Sequence, residues 1–411
     1  MRPISSRPSF SHSARHAVCA VVSVLAAAWL VTTVAAAPPP SAPGNLQFVF
    51  TSDAHYGLTR AHFRGGADVR ADVVNQALVS AINRLPDTVL PADGGIRGGQ
   101  AVGAIDFVAQ GGDIANREES DETTTIQAAT ESWASFLRDY DRGLTVRDAA
   151  GQRATLLVVP GNHDATNALG FYKPMRPAVD PSAMIGIFNR YMPTAIPARP
   201  ADYRYADGKV RYSRDVAGIH FVFLTIWPDS ETRAWLNANL AHVDPHVPVV
   251  IVTHDQPDAE AKHFTNPNGS HDINARDRFE NLLCDSLADG TTIETEPTIE
   301  QAAFEVFLRQ HPNITTYFHG NSNWNQFYDW TGPNHTVALH TFRVDSPMKG
   351  ALSGQDETRL SFQLVTVDTA SGLMTVRECL WNHDPAHPEA PLSWGGSVTV
   401  AIRPLSAVNF P

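Results

Sequence analysis

Residues 155–164 read Thr-Leu-Leu-Val-Val-Pro-Gly-Asn-His-Asp, an apolar run that ends in a glycine and three polar side chains. A short run rich in valine and leucine, bounded by proline and glycine, is typical of a buried β-strand. Gly161-Asn162-His163-Asp164 contribute little to an apolar core, and loops after strands often carry function. The same pattern recurs on both sides of this segment.

Four other apolar runs end at once in polar residues that are able to bind a metal. Residues 46–51 precede Asp53 and His55, 104–109 precede Gly111-Gly112-Asp113, 247–252 precede His254, and 314–318 precede His319-Gly320-Asn321-Ser322-Asn323. Apolar residues at helical spacing occur between these runs, at residues 69–85, 126–140 and 231–240. Alternating strands and helices predict an α/β fold with helix-covered sheets, in which ligands collect at the carboxyl ends of strands.

Together the polar groups have the composition of a two-metal site. A carboxylate such as Asp113 can bridge two cations about 3.5–4 Å apart, and such a pair can hold the attacking and leaving oxygens of a displacement. Mixed oxygen and imidazole ligands suit Mn, Fe or Zn, and Mg is a further candidate. The sequence therefore predicts two divalent metal ions of undetermined identity.

The order Asp53-x-His55, Gly112-Asp113, Gly161-Asn162-His163-Asp164 and His254 resembles the calcineurin-like metallophosphoesterases, which include purple acid phosphatases and many bacterial phosphodiesterases. The resemblance extends over residues 46–325. It implies an α/β fold in which a two-sheet β-sandwich is flanked by helices. It also implies hydrolysis of small phosphate mono- or diesters at a dinuclear metal centre.

The resemblance also implies roles for individual residues. Asp53 and His55 would bind the first metal, Asp113 would bridge, and Asn162 and His254 would bind the second. His163 would be the catalytic residue that contacts the phosphoryl group and assists the leaving oxygen. Asn162 and His163 would both contact the substrate.

The last motif departs from the family pattern. Gly-His-x-His is expected, but the sequence has Gly320-Asn321-Ser322-Asn323. Asn321 and Asn323 are therefore candidate metal ligands, each with a neutral amide oxygen in place of imidazole. His319 is an alternative, although alternation along a strand places it on the other face. His263 and His271 are further alternatives if residues 263–272 form a lid, and the other interpretation of that segment is a polar turn.

Other cations near the motifs are candidates for substrate binding. Lys173 and Arg176 follow His163 in an aromatic segment and would hold the organic part of the substrate, or else pack the loop. Lys349 is a cation to which the sequence assigns no role. Residues 335–405 alternate between apolar and polar, and we expect them to complete the second sheet without forming a separate domain.

The N-terminal segment predicts export. Arg2, Arg7 and Arg15 precede an uncharged apolar stretch, residues 17–37, which ends in small residues. This is typical of a signal peptide, residues 1–36, cleaved after Ala36. The alternative is an uncleaved membrane anchor. A Pro-rich linker, residues 37–45, and one domain, residues 46–405, would follow in a periplasmic or secreted protein that has no membrane association after cleavage.

Composition excludes some classes of function. The net charge of −12 disfavours nucleic acid as a stable partner. No Gly-x-Ser-x-Gly motif supports serine chemistry.

Cys284 and Cys379 remain after cleavage, and we expect them to form a disulfide in an oxidising compartment; two unrelated buried thiols are the alternative. The predicted function is a metal-dependent phosphoric ester hydrolase, and a weak or inactive metal- or phosphate-binding protein of the same fold is the alternative.

Overall fold

The strand expected before Asp53 is present as the first strand of the fold. The computed structural model describes residues 44–116, 126–166, 180–194, 196–205, 207–260, 263–264, 282–285 and 298–402. The strands are β1 (Asn45–Thr51), β2 (Thr59–Phe63), β3 (Gly66–Arg70), β4 (Phe107–Gln110), β5 (Thr155–Val158), β6 (Arg211–Val216), β7 (Ile219–Leu224), β8 (Val249–Val252), β9 (Ile314–His319), β10 (Gln326–Trp330), β11 (Leu339–Arg343), β12 (Ser361–Asp368), β13 (Leu373–Leu380) and β14 (Ser393–Ala401). The helices are α1 (Ala71–Arg84), α2 (Ala129–Phe136), α3 (Asn162–Thr166), α4 (Ser182–Tyr191), α5 (Ser230–Leu240) and α6 (Thr298–Gln310).

Two six-stranded sheets form the framework. The first has the order β14-β13-β12-β1-β4-β5 and the second the order β10-β11-β9-β8-β7-β6; β2 and β3 form a separate hairpin. All five apolar runs that precede polar residues are strands: β1, β4 and β5 run parallel in the first sheet, and β8 and β9 run parallel in the second. The predicted two-sheet α/β fold is therefore confirmed.

Aromatic side chains from both sheets fill the space between them. Phe48 of β1 stacks on Phe107 of β4 with ring centroids 4.6 Å apart. Its ring also makes edge-to-face contacts with Phe221 of β7 and Phe318 of β9, with ring centroids 5.6 Å and 5.5 Å apart. Because successive side chains of a strand point to opposite faces, Val222 and Leu224 of β7 face the other way, into a second core.

Helices cover the outer faces of both sheets, as the alternating pattern predicted. Val74, Leu78 and Ile82 of α1 are buried at i, i+4 and i+8 and belong to the same core as β1. Leu236 of α5 and Phe304 of α6 belong to the second core with the outward side chains of β7 and β8. No helix in the described ranges is both long enough and apolar enough to cross a bilayer.

The expectation for residues 335–405 is wrong in one respect. Only β11 joins the second sheet; β12, β13 and β14 extend the first. β12 pairs antiparallel with β1, from Asn45 opposite Asp368 to Phe50 opposite Gln363. Alternation indicates strands but does not specify the neighbour with which a strand pairs.

The expected disulfide is also wrong, because both cysteines are free. Cys379 is fully buried in β13, whereas Cys284 is exposed and its Sγ lies 3.0 Å from Ser230 Oγ at the start of α5. The number of cysteines and the redox compartment do not determine whether two cysteines lie close enough in the fold to form a disulfide. The alternative of two buried thiols is correct for Cys379 alone.

We predict that the two thiols react separately. Cys284 should react with a thiol reagent in the folded protein, and Cys379 only after denaturation. Burial raises the pKa of Cys284 to about 11, so its labelling should become faster as the pH rises. Labelling with and without urea, followed by peptide mapping, measures this. Resistance of Cys284 in the native protein, or equal labelling rates, would contradict the placement.

Candidate metal centre

The predicted ligands meet where the two sheets present the carboxyl ends of their parallel strands. The loops after β1 and β4 are joined by main-chain hydrogen bonds, from Asp53 N to Gly112 O and from His55 N to Asp113 O, each 2.9 Å long. Gly320 N donates to His254 O at 3.0 Å and joins the loops after β8 and β9. The residues at the ends of five separate strands therefore form one cluster.

Asp113 lies at the middle of this cluster. Its Oδ2 is 3.8 Å from His55 Nε2 and 3.8 Å from His163 Nε2, whereas its Oδ1 is 3.3 Å from His254 Nε2. On one side, the ligand atoms of His55, Asp113 and His163 lie within 4.8 Å of one another; on the other, those of Asp53, Asp113 and His254 do. The two oxygens of one carboxylate thus face two groups of potential ligands, which is the geometry a bridging ligand requires.

Unsatisfied atoms in the cluster fit a cation. Asp53 and His55 are fully buried, and Asp53 Oδ1 and His55 Nε2 have no hydrogen-bond partner among the described residues. These two atoms face each other at 3.5 Å. Burying a carboxylate oxygen that accepts no hydrogen bond is costly, so a divalent cation would compensate both atoms. The residues present therefore fit the metal ions that the sequence predicts.

Hydrogen bonds to the far ring nitrogens orient the two histidines. His254 Nδ1 lies 2.8 Å from Gly111 O, and the side-chain amide of Asn116 lies 3.1 Å from His55 Nδ1. Both contacts leave Nε2 pointing into the cluster, as outer partners of metal-binding histidines do. His254 Nε2 is also 3.1 Å from Asn162 Oδ1, so these two predicted ligands lie on the same side.

The backbone at the ligands has a left-handed conformation. The φ angles are 57° at Asp53, 43° at His55, 55° at Asp113, 60° at Asn321 and 63° at Asn323. Such angles cost residues other than glycine on the order of 1–2 kcal/mol each and concentrate at functional sites. Five strained residues at one cluster therefore support a functional role.

Asp164 holds the central motif in position. Its carboxylate accepts hydrogen bonds from the main-chain amides of Ile114, Ala115 and Gly161, at 2.9–3.0 Å for the shortest to each. A Cβ added at Gly161 would collide with Asp113 Oδ1. The loop after β5 is thus held directly against the Asp113 carboxylate. Sequence analysis assigned Asp164 no role beyond its place in the motif.

Charges inside the cluster shift its pKa values. Burial alone would lower the pKa of His254, but the Asp113 carboxylate opposes this and raises it to about 10. Burial would raise the pKa of Asp113, yet His254 and His163 hold it well below its usual value. Burial lowers the pKa of His55, and the charge of Lys349 acts in the same direction. A cation would therefore replace the proton on His254.

Asn321 and Asn323, which stand where the family pattern has histidines, make different contacts. Asn321 Nδ2 donates to Asp255 Oδ1 at 2.9 Å, and its main-chain N–H donates to Asp53 Oδ2 at 3.0 Å. Asn323 Nδ2 donates to Asn321 O at 2.7 Å, while Asn323 Oδ1 is buried without a hydrogen-bond partner in the described part of the chain. Asn323 is therefore the better candidate ligand of the two.

The alternative ligands lie elsewhere. His319 Nε2 is 3.0 Å from Tyr328 Oη, so the side chain lies on the other face of the strand, as alternation predicted. Burial lowers the pKa of His319 to about 3. His263 Nδ1 lies 2.7 Å from Asp255 Oδ2, and the other oxygen of that carboxylate accepts the side-chain amide of Asn321. The remaining sequence candidates, His271, Lys173 and Arg176, fall outside the described residues.

A turn after β11 brings Lys349 to the cluster. Lys349 Nζ lies 3.4 Å from His163 Nε2. The turn begins at Asp345, which is buried, and burial raises the pKa of Asp345 to about 8, although Ser353 opposes the shift. No motif in the sequence indicated this lysine, because it is distant along the chain from every recognised loop.

We predict that Asp345 makes stability depend on pH. Its folded pKa lies above the unfolded value near 3.9, so its stabilising effect is complete below about pH 4 and is lost as the pH rises towards 8. Asp345→Asn should remove a slope of up to about 1.4 kcal/mol per pH unit. Urea unfolding of both proteins at pH 5, 6, 7 and 8 measures this. Parallel pH profiles for the two proteins would contradict the prediction.

Solved structures of known proteins are similar to this chain in structure at low sequence identity. No protein-family model matches the chain, and no curated protein sequence matches it. A dimetal phosphatase from Danio rerio is similar in structure at 13% identity and a TM-score of 0.47, over 87% of this chain and 99% of that one. A phosphopantetheinyl hydrolase from Mycobacterium tuberculosis is similar at 14% identity and 0.32, over 74% and 92%.

A calcineurin-like phosphoesterase from Bacillus subtilis is similar at 11% identity and a TM-score of 0.28, over 87% of this chain and 91% of that one. With two facing six-stranded sheets and its motif loops gathered at one edge, the chain has the architecture that resemblance to the calcineurin-like metallophosphoesterases implied.

Proposed function

We propose that the protein is a metal-dependent phosphoric ester hydrolase with a dinuclear metal centre. The observation that carries this proposal is the position of Asp113, whose two oxygens face separate buried groups of ligands. A structural ion site needs a single closed shell, whereas two shells that share one carboxylate suit the displacement of an oxygen at phosphorus.

The residues assign themselves to two shells. As the resemblance implies, Asp53 and His55, with the amide oxygen of Asn323, would hold one ion, and Asn162 and His254 would hold the other. Asp53 faces both sides, because its carboxylate lies 3.5 Å from His55 Nε2 and also within 4.8 Å of the ligand atoms of Asp113 and His254. Two bound divalent ions, drawn from Mn, Fe, Zn or Mg, would supply the nucleophile and offset the charge that develops on the phosphoryl oxygens. They would also allow this acidic protein to receive an anionic ester.

His163 would handle the proton of the leaving group. Its main-chain N–H donates to Asp113 Oδ1 at 2.9 Å, which fixes the residue beside the bridging carboxylate. Its Nε2 lies 3.8 Å from Asp113 Oδ2, at the side of the centre where Lys349 also lies. A group in this position can donate a proton or a hydrogen bond to the departing oxygen.

Export remains part of the proposal. The signal peptide, residues 1–36, lies outside the described residues, and its positive start and apolar middle support secretion or a periplasmic location. N-terminal sequencing of protein recovered from outside the cytoplasm should give Ala37 as the first residue. An intact Met1 or retention in the membrane would contradict cleavage.

A binding protein of the same fold is the second candidate. It is favoured by Asn321, whose amide is held by Asp255 and Gln256 and is not an imidazole available to the second ion. Purified protein, assayed against phosphomonoesters and phosphodiesters with each added metal, separates the candidates. Metal-dependent turnover supports the hydrolase, and tight metal retention without turnover supports the binder.

We predict that the ligand at position 323 sets metal preference. Asn323→His replaces a neutral amide oxygen by an imidazole nitrogen, so metal retention should tighten and preference should shift from Mn²⁺ or Mg²⁺ towards Zn²⁺. Asn321→His should have a smaller effect, because it removes the contact with Asp255. Competitive metal-binding titrations measure both. Unchanged selectivity in Asn323→His would place residue 323 outside the coordination sphere.

A further inference from the structure

Lys349 introduces a positive charge at the metal centre that none of the recognised motifs supplies. Its Nζ lies 3.4 Å from His163 Nε2, and the His163 ring packs edge-on against the His55 ring with centroids 5.2 Å apart. The charge of Lys349 also acts on His55. The ammonium group therefore faces the side of the centre where His55 and His163 meet.

The turn that carries Lys349 is fastened to the metal loops at two points. Ser346 Oγ donates to Asp53 O at 2.9 Å and accepts the Lys349 main-chain N–H at 2.9 Å. On its far side, Ala351 N donates to Asn323 O at 2.6 Å. Because both connections end at predicted metal ligands, the position of the lysine is coupled to the geometry of the centre.

A buried arginine supports the same turn from the hairpin. Arg60 of β2 donates from its guanidinium to Pro347 O at 2.8 Å and to Ser353 O. Arg60 is 3% exposed, so these contacts are shielded from water. The main chain around Lys349 is thus fixed on both sides, which is the support that a substrate-binding group requires.

The other lysine in the described ranges has a different environment. Lys209 Nζ is buried in an ion pair with Asp229 at 2.6 Å and lies 3.5 Å from Glu231, at the start of α5. Its charge neutralises the Asp229 carboxylate, which caps the start of α5 by accepting the Thr232 main-chain N–H. Lys349 instead lies beside an imidazole at the metal centre, where an incoming anion is expected.

We propose that Lys349 and His163 together bind a terminal phosphoryl oxygen, and that this charge makes phosphomonoesters the preferred substrates. The inference rests on the proposed hydrolase function. A monoester at neutral pH carries a nearly full second negative charge on its non-bridging oxygens, whereas a diester carries one charge in total. A fixed ammonium therefore stabilises the bound monoester more than the bound diester.

The first test compares two esters that release the same alcohol. Lys349→Gln should lower kcat/KM for p-nitrophenyl phosphate by about 10- to 100-fold, the usual scale for a lost charge-assisted hydrogen bond. The value for bis(p-nitrophenyl) phosphate should change by less than about threefold, because a diester presents less charge to the ammonium. Lys349→Arg should retain most of the preference. The control is Arg359→Gln, which removes one positive charge at an exposed position.

Metal content and phosphate binding complete the test. Lys349→Gln should keep the metal content of the parent protein and should bind inorganic phosphate 10- to 100-fold more weakly in a titration of the Mn²⁺-loaded protein. Equal loss on both esters, or unchanged phosphate affinity, would overturn the assignment. If the parent protein binds Mn²⁺ and phosphate but hydrolyses neither ester, the proposed function fails, and weaker phosphate binding by Lys349→Gln would still support the role of Lys349 in anion binding.

Discussion

Asp113→Asn should abolish metal binding and hydrolysis together while leaving the fold intact. The amide keeps the oxygen that accepts the His163 main-chain N–H, but it removes the negative charge that faces both groups of ligands. We expect a rate loss on the order of 10³-fold or more, beyond the cost of one lost hydrogen-bond donor at an active site. Metal analysis and kinetics on the same preparation measure both effects.

The control for this variant is Asp384→Asn, which removes a partly exposed carboxylate that is paired with His387. It should retain metal and turnover. Circular dichroism and thermal unfolding of both variants establish that the fold is intact. Two ions per chain with full turnover in Asp113→Asn would rule out a shared bridging carboxylate.

His163→Ala should separate metal binding from chemistry. We expect the variant to retain its ions and to lose about 10²–10⁴-fold in rate, the range for a general acid or base. The loss should be smallest for esters with good leaving groups, because these need little protonation. A series of aryl phosphates with graded leaving-group pKa values measures this, and His340→Ala, at a partly exposed position paired with Asp329, is the control.

His163 is also placed where it could bind a metal ion, which gives His163→Ala a second possible outcome. His163 Nε2 lies close enough to His55 and Asp113 to be a ligand itself. Loss of an ion from His163→Ala would therefore move His163 into the coordination shell. A rate loss that is independent of the leaving group would likewise contradict its assignment to proton transfer.

Five of the strands and their order along the chain could be predicted from sequence, because each of these five is a short apolar run with a polar loop at its end. The runs before Asp53, Asp113 and Asn162 correspond to β1, β4 and β5, displaced by no more than a few residues. Sheet membership could not be predicted in the same way. β12 pairs with β1 across more than 300 residues of sequence, and a local pattern carries no information on that pairing.

The candidate ligands were predictable for the same reason, but their supports were not. Asp164 accepts a hydrogen bond from the Ala115 main-chain amide, and the Asn116 side-chain amide lies beside the His55 ring nitrogen. Contacts of this kind between loops have no sequence pattern from which they could be predicted. Lys349 reaches the centre through a turn fixed by Ser346 and Arg60. The cysteine prediction failed because composition does not specify distance.

The central claim is that two ions bound around Asp113 produce the activity. Metal-free protein should be titrated with Mn²⁺ while bound metal, by equilibrium dialysis, and hydrolysis of p-nitrophenyl phosphate are measured on the same samples. We expect saturation at two ions per chain, with hydrolysis appearing as the second ion binds. Saturation at two ions without hydrolysis, or hydrolysis in the absence of bound metal, would contradict it.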